Sequence, residues 1–137
     1  MQNFIVLLIA LGASAASAAD ISGYYESLTK EGHVVRQLCI KPKPNGIFNV
    51  EIFTSYCPSK ECFNARMDGV SFSSLVNNGV LHHESEMCNI RVHVTSGHAT
   101  VHQNGEKCGD DFGLLMSDGY YKRVRKEVQE NDCSPVG

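Results

Sequence analysis

The sequence predicts an all-β, mainly antiparallel fold: a small barrel or a strongly curved sheet with one or two short helices and disulfide staples. Turn-forming residues recur at short intervals after residue 20. The runs between them are about four to eight residues long and rich in Val, Ile, Phe, Tyr and Thr, which is typical of strands. All six cysteines also follow residue 20, which predicts disulfide bonds if the chain is exported.

Residues 1–19 have the features of a signal peptide. An apolar core from Phe4 to Leu11 is followed by small residues that end in Ser17-Ala18-Ala19, a pattern that signal peptidase accepts. Cleavage is expected before Asp20, with Ala18 as an alternative last residue. The apolar run is shorter than the ~20 residues that a bilayer span needs. We therefore expect a periplasmic or secreted protein in which residues 20–137 form a single β-rich domain that does not span a membrane.

The first strong strand patterns lie in the N-terminal half of this domain. Val34, Leu38 and Ile40 form one apolar face, which Arg36 interrupts. In the segment 47–54 apolar residues alternate with polar ones, the period of a half-buried strand.

A hairpin is predicted around a two-residue turn at Ser96-Gly97. It pairs Thr95 with His98, Val94 with Ala99, His93 with Thr100, Val92 with Val101 and Arg91 with His102. Both strands then agree on one apolar face, formed by Val92, Val94, Ala99 and Val101. A slip by one residue would break this agreement.

The preceding hairpin is predicted with a turn at Ser85-Glu86. That register sets Leu81 opposite Ile90, His82 opposite Asn89 and His83 opposite Cys88. Leu81 and His83 then face the core, and His82 faces water. A longer turn would exchange the two histidines, so this alternative stays open.

The two ends of the domain resemble each other. Gly23-Tyr24-Tyr25 opens it, and Gly119-Tyr120-Tyr121 stands near its end. Pairing these two segments would remove two exposed sheet edges by closing a barrel. Short helices are expected in Asp111–Ser117 and in Arg125–Asn131.

The cysteines can form up to three disulfides in fifteen possible pairings. Cys57 and Cys62 can close a small loop, and Cys88 and Cys108 flank one hairpin. The alternative is that some cysteines stay reduced and buried. The disulfide candidates are Cys39, Cys57, Cys62, Cys88, Cys108 and Cys133.

Five of the six histidines lie between Leu81 and His102. On the predicted hairpin His93 is diagonal to His98 and His102, which sets Cβ atoms roughly 7–8 Å apart. With His82 on the neighbouring strand, these histidines could bind one zinc or copper ion or act together as a pH sensor. The alternative is a solvated polar face with no cofactor.

Charge and motifs exclude several classes of function. The formal net charge of −3 does not suggest a nucleic-acid-binding protein. The chain has no G-x-S-x-G, H-E-x-x-H, phosphate-binding loop or dinucleotide fingerprint. Asp110-Asp111 are adjacent acids in a predicted turn, which are usually solvated or cap a helix. We therefore expect a protein without enzymatic activity.

A set of short motifs resembles the small exported β-barrel-like proteins of Gram-negative bacteria, some of which are grouped with periplasmic lysozyme inhibitors. The motifs are Gly23-Tyr24-Tyr25, Gly79-Val80-Leu81 before Cys88, Ala99-Thr100-Val101, Cys108-Gly109 and Gly119-Tyr120-Tyr121-Lys122-Arg123-Val124. The resemblance implies a fold and a compartment. It implies no functional residues, because the Ser-Gly-x-Gly loop and the Tyr/Lys segment that enter the lysozyme cleft have no counterpart in this chain.

Two classes of function follow. The first is a binding, inhibitor or immunity-type protein that docks rigid loops onto a protein partner, such as a lytic enzyme or an envelope toxin. Its contact candidates lie in the Cys57–Cys62 loop and the Asp110–Asp118 segment: Cys57, Pro58, Ser59, Lys60, Glu61, Cys62, Asp110 and Asp111. The second is a zinc- or copper-binding protein that uses His82, His93, His98 and His102.

Overall fold

A computed structural model describes residues 21–27, 34–57, 66–105, 108 and 117–134. Eight strands contain most of these residues. They are β1 (Gly23–Ser27), β2 (Val34–Pro42), β3 (Ile47–Tyr56), β4 (Arg66–Leu75), β5 (Val80–Ser85), β6 (Cys88–Thr95), β7 (His98–Asn104) and β8 (Gly119–Arg125). A single 3-10 turn at Pro44–Gly46 joins β2 to β3.

The strands form one antiparallel sheet in the order β4-β3-β2-β1-β8-β7-β6-β5. The first and last strands pair with each other, as the two Gly-Tyr-Tyr segments predicted. Curling the sheet brings its outer strands β4 and β5 side by side, so that the molecule is a nearly closed barrel. The predicted all-β class and barrel architecture are therefore confirmed.

Two tyrosines from the paired segments lie fully buried inside the barrel. The hydroxyl of Tyr25 donates to the carbonyl oxygen of Ile21 at 2.7 Å, and that of Tyr121 donates to the carbonyl oxygen of Ser117 at 2.6 Å. Each ring thus fills the core while its hydroxyl is satisfied by the main chain. Burial raises the pKa of both tyrosines.

Apolar side chains from six strands, β2 to β7, complete the core. The apolar residues of β2 and β3 lie on its inner face in the alternation that the sequence predicted. Arg36 also occupies an inward-facing position of β2, as its place within the predicted apolar face indicated. The core contains Leu38, Ile40, Phe48, Val50, Ile52, Phe72, Leu81, Ile90, Val92, Val94, Ala99 and Val101.

The hairpin of β6 and β7 has the predicted register at all five pairs. Its two turn residues, Ser96 and Gly97, have φ angles of 40° and 81°. Two successive positive φ angles are characteristic of the type I′ turn, whose twist matches that of the paired strands. The apolar and polar faces therefore lie as the sequence predicted.

The predicted register of β5 against β6 is wrong by two residues. The turn is at Glu86-Met87, so Leu81 lies opposite Val92, His82 opposite Arg91 and His83 opposite Ile90. Side chains alternate with a period of two, so this slip leaves every residue on its predicted face. The face pattern alone could not distinguish the two registers.

The chain after β8 forms turns, so the helix predicted over Arg125–Asn131 is absent. Asp132 accepts hydrogen bonds from the Arg125 side chain and from the backbone N–H of Gln129, and these contacts favour a tight turn over a helix. Burial alone would raise the pKa of Asp132, but these hydrogen bonds outweigh it and hold the pKa below its usual value. The other predicted helix, Asp111–Ser117, lies outside the described residues except for Ser117.

A disulfide attaches this C-terminal segment to the outside of the barrel. Cys133 is bonded to Cys39 on β2, 94 residues earlier. Beside the bond, Tyr24 is almost fully buried and the Arg125 guanidinium lies 4.6 Å from its ring centroid. A second disulfide joins Cys88 to Cys108, as predicted. Cys57 is also disulfide-bonded, and its predicted partner Cys62 lies outside the described residues.

Candidate functional site

The two ends of the barrel carry different connections. Because consecutive strands are antiparallel, the connections alternate between the ends. The β2–β3, β4–β5 and β6–β7 connections leave from one end and are short: residues 43–46, 76–79 and 96–97. We call this the turn end. The β1–β2, β3–β4, β5–β6 and β7–β8 connections leave from the other, the loop end, and three of them are longer: 28–33, 57–65 and 105–118.

Both predicted contact segments start and finish at the loop end. Cys57 directly follows β3, and Arg66 begins β4 at the same end. Cys108 is tied to the first residue of β6, and Ser117 immediately precedes Asp118 and β8. The contact candidates between these flanks, Pro58, Ser59, Lys60, Glu61, Cys62, Asp110 and Asp111, lie outside the described residues. The sequence indicated the two segments, and strand pairing brings their flanks to one end.

Polar side chains are buried inside the barrel near the loop end. Gln103 accepts hydrogen bonds at Oε1 from the backbone N–H and the hydroxyl of Ser117, at 2.8 and 2.5 Å. Asp68 accepts one from the backbone N–H of Gly69 at 2.9 Å. The cavity beside them is about 10 Å³, room for no more than one water molecule. Asp68 and Gln103 lie at inward-facing positions of β4 and β7, and no motif in the sequence marked them.

A cavity lies along β4, which among the described residues forms no backbone ladder with β5, its neighbour where the sheet closes. At the turn end the two strands are joined: Ser74 Oγ accepts the backbone N–H of His82 at 2.9 Å, and the rings of Phe72 and His83 stack at 5.1 Å. Nearer the loop end a cavity of about 650 Å³ lies along β4, within the ~300–1,000 Å³ range of ligand sites. Its lining includes Phe53, Met67, Gly69, Ser71, His83 and Cys108. We call this the seam cavity.

The four histidines predicted as metal ligands share the outer face of β5, β6 and β7. His82 Nε2 lies 3.0 Å from Asn89 Oδ1, and the His98 ring stacks on Tyr120 with centroids 5.3 Å apart. Arg91 lies directly between His82 and His102 in the sheet, which places a cation among the proposed ligands.

His93 is diagonal to His98 and His102, as predicted. Among the described residues, no three His, Cys, Asp or Glu side chains form a group that could hold a metal ion.

Comparison of the chain with protein-family models, curated proteins and solved structures finds no match. No helix in the described ranges has the length and apolar character of a membrane span.

Proposed function

We propose that the protein is an exported, non-enzymatic binding protein that docks its loop end onto a protein partner. The observation that carries this proposal is the common position of the segment flanks at Cys57, Arg66, Cys108 and Ser117. Lytic enzymes and toxins of the cell envelope are the partner class that we favour, because of the resemblance to periplasmic inhibitors. Export is supported by the disulfides, which persist in oxidising compartments.

Rigidity of the flanks supports an inhibitor-like role. β3 and β4 pair over ten residues up to the loop end, and Cys57 is held in a disulfide. Cys108 is fixed to β6 by its bond to Cys88. A segment with anchored ends loses less conformational entropy when it binds, so more of the contact energy remains as affinity.

The seam cavity supplies a place for a side chain of the partner. Phe53 and Met67 line it from neighbouring strands, and Met67 is 45% exposed. Binding energy at interfaces concentrates where an anchor residue fills such a pocket. Methionine adapts readily to the shape of an inserted group.

The first test is inhibition of lysozymes of several types, with binding to each enzyme measured by surface plasmon resonance. For an enzyme that binds, we expect Lys60→Ala or Met67→Ala to weaken affinity about tenfold or more. Lys43→Ala makes the same change as Lys60→Ala, but at an exposed residue of the turn end. It should leave the affinity unchanged. Equal losses for Lys43→Ala and Lys60→Ala would contradict docking by the loop end.

Zinc or copper binding by the histidines remains the alternative function. Titration of each metal against a competing chelator tests it, using the native protein and a variant in which His93, His98 and His102 are Ala. Tight stoichiometric binding that the variant loses, together with no inhibition of any lysozyme, would replace the proposal above.

A further inference from the structure

A second cavity lies on the outer face of the barrel beside the loop end, apart from the seam cavity. Its volume is about 590 Å³. The residues that line it are Asn89, Arg91, His102, Gln103, Asn104 and Asp118. All six have polar side chains, and no aliphatic residue and no Phe, Tyr or Trp of the described ranges contributes to the lining. A ligand that fits this cavity must offer hydrogen-bonding groups on several sides.

Asp118 contributes a carboxylate to the lining of this cavity. Its Oδ1 accepts the backbone N–H of Gln103 at 3.0 Å, which fixes the orientation of the carboxylate. Its Oδ2 is buried and has no hydrogen-bond partner in the described part of the chain. The carboxylate therefore keeps acceptor capacity beyond its bond to Gln103, since each of its oxygens has two lone pairs.

Two cationic or potentially cationic groups face the same space. Arg91 and His102 lie opposite each other on β6 and β7, and both are exposed. Neither side chain forms a hydrogen bond or an ion pair with another described residue. Asn104 is opposite Asn89 one step nearer the loop end. The Oδ1 of Asn89 already lies 3.0 Å from His82 Nε2, which leaves its NH₂ group to donate.

We propose that this cavity binds a saccharide that carries a carboxylate, of the uronic acid class. The Arg91 guanidinium pairs with the ligand carboxylate through two parallel N–H donors. The Asp118 carboxylate accepts a ring hydroxyl, and the Asn89 and Asn104 amides bind neighbouring hydroxyls.

A free amino acid would also satisfy Arg91 and Asp118. It would leave its side chain against a wholly polar wall, and for this reason we favour the sugar acid. The site is independent of docking by the loop end, and either proposal can fail alone.

The test is an NMR titration of the ¹⁵N-labelled oxidised protein with three probes: D-glucuronate, D-glucose as its uncharged counterpart, and L-alanine. We expect glucuronate to shift the amide resonances of Asn104 and Asp118 with a Kd of about 1 mM or below. Glucose lacks the carboxylate that pairs with Arg91, so it should bind about tenfold more weakly. Alanine should cause no comparable shifts.

Two variants assign the contacts. Arg91→Gln should abolish the preference for glucuronate over glucose, since it removes the positive charge and the guanidinium donors that pair with a carboxylate. Asp118→Asn should weaken both sugars about tenfold while keeping the Oδ1 acceptor for Gln103. Lys122→Gln is the matched control, because Lys122 lies on the same outer face but does not line the cavity; it should retain the preference.

Three outcomes would overturn the proposal. They are no shifts with glucuronate up to about 50 mM, far above the ~1 mM expected; a preference that survives Arg91→Gln; or alanine binding as tightly as glucuronate. Because Arg91 is exposed, its variant should fold normally and would decide the matter even if Asp118→Asn did not fold.

Discussion

The barrel is closed in two places, and the two closures differ in chemistry. Between β1 and β8 the main chains pair at four positions, with Tyr25 and Tyr121 buried beneath the ladder. Between β4 and β5 the contacts include the hydrogen bond from the backbone N–H of His82 to Ser74 Oγ and the stack of Phe72 on His83. The first closure includes a backbone ladder, whereas the second has none among the described residues and is made through side chains.

This difference indicates where the barrel opens most easily. Regions held by few buried contacts and few backbone hydrogen bonds have the lowest local free energy of opening. The β4–β5 seam has no backbone ladder between its described residues, and the seam cavity lies along it toward the loop end. Local opening would thus occur next to the surface that we propose for partner binding, while the β1–β8 closure holds the fold together.

The largest effect should come from the disulfide that fixes the C-terminal segment beside β1. Replacing Cys39 and Cys133 together by Ala removes a crosslink between residues 94 positions apart. Loop-closure entropy predicts a loss of about 4–5 kcal/mol in the free energy of unfolding. Denaturant unfolding measures it. Replacing Cys88 and Cys108, only 20 positions apart, should cost less, about 3 kcal/mol; the reverse order would contradict this account.

Tyr121→Ala tests the core beneath the β1–β8 closure. It leaves a large cavity and should lower the free energy of unfolding by about 3–5 kcal/mol. Tyr121→Phe keeps the ring and loses only the hydrogen bond to the Ser117 carbonyl, for about 1 kcal/mol. If the two variants lost the same amount, the hydroxyl rather than the ring would carry the closure.

Alkaline pH should weaken the same closure. Burial raises the pKa of Tyr121, and burial, partly offset by Arg123, also raises the pKa of Tyr25. Unfolded tyrosine ionises near pH ~10 while the buried hydroxyls stay protonated, so stability is full below that pH and falls above it.

The expected slope is about 1.4 kcal/mol per pH unit for each such tyrosine. Denaturant titrations between pH 8 and 11 measure it. Tyr121→Phe should reduce the slope, and an unchanged slope would exclude Tyr121 as a source.

The smallest effect is expected at the seam. Ser74→Ala removes the acceptor of the His82 N–H, so stability should fall by about 1 kcal/mol and the His82 amide should exchange faster with solvent. Hydrogen exchange followed by NMR measures both. Ser71→Ala, an exposed position on the same strand, should change stability by less than about 0.5 kcal/mol. Equal exchange rates at His82 in the two variants would show that Ser74 does not hold the seam.

Sequence patterns predicted part of the candidate sites. The polar outer face of β6 and β7, with Arg91 opposite His102, followed from alternation and the Ser96-Gly97 turn. The convergence of Asp118 on that face could not be predicted, because it depends on how β8 pairs with β7 across an intervening segment. The seam cavity could not be predicted either, since no local sequence pattern indicates which strands lie side by side when the sheet curls.

The features that the sequence determined by itself are local. They are the strand periodicity, the β6–β7 register, the inward or outward position of the strand residues, and the similarity of the two Gly-Tyr-Tyr strands. Short-range sterics and the hydrophobic period of two suffice for these features. Only the tertiary structure decided the Cys39–Cys133 bond, the two-residue slip of β5 and the gathering of the segment flanks at one end. These depend on which distant surfaces meet when the sheet curls, and on the entropy lost when a long loop closes. No single stretch of the chain encodes which surfaces meet or how much entropy the loop closure costs.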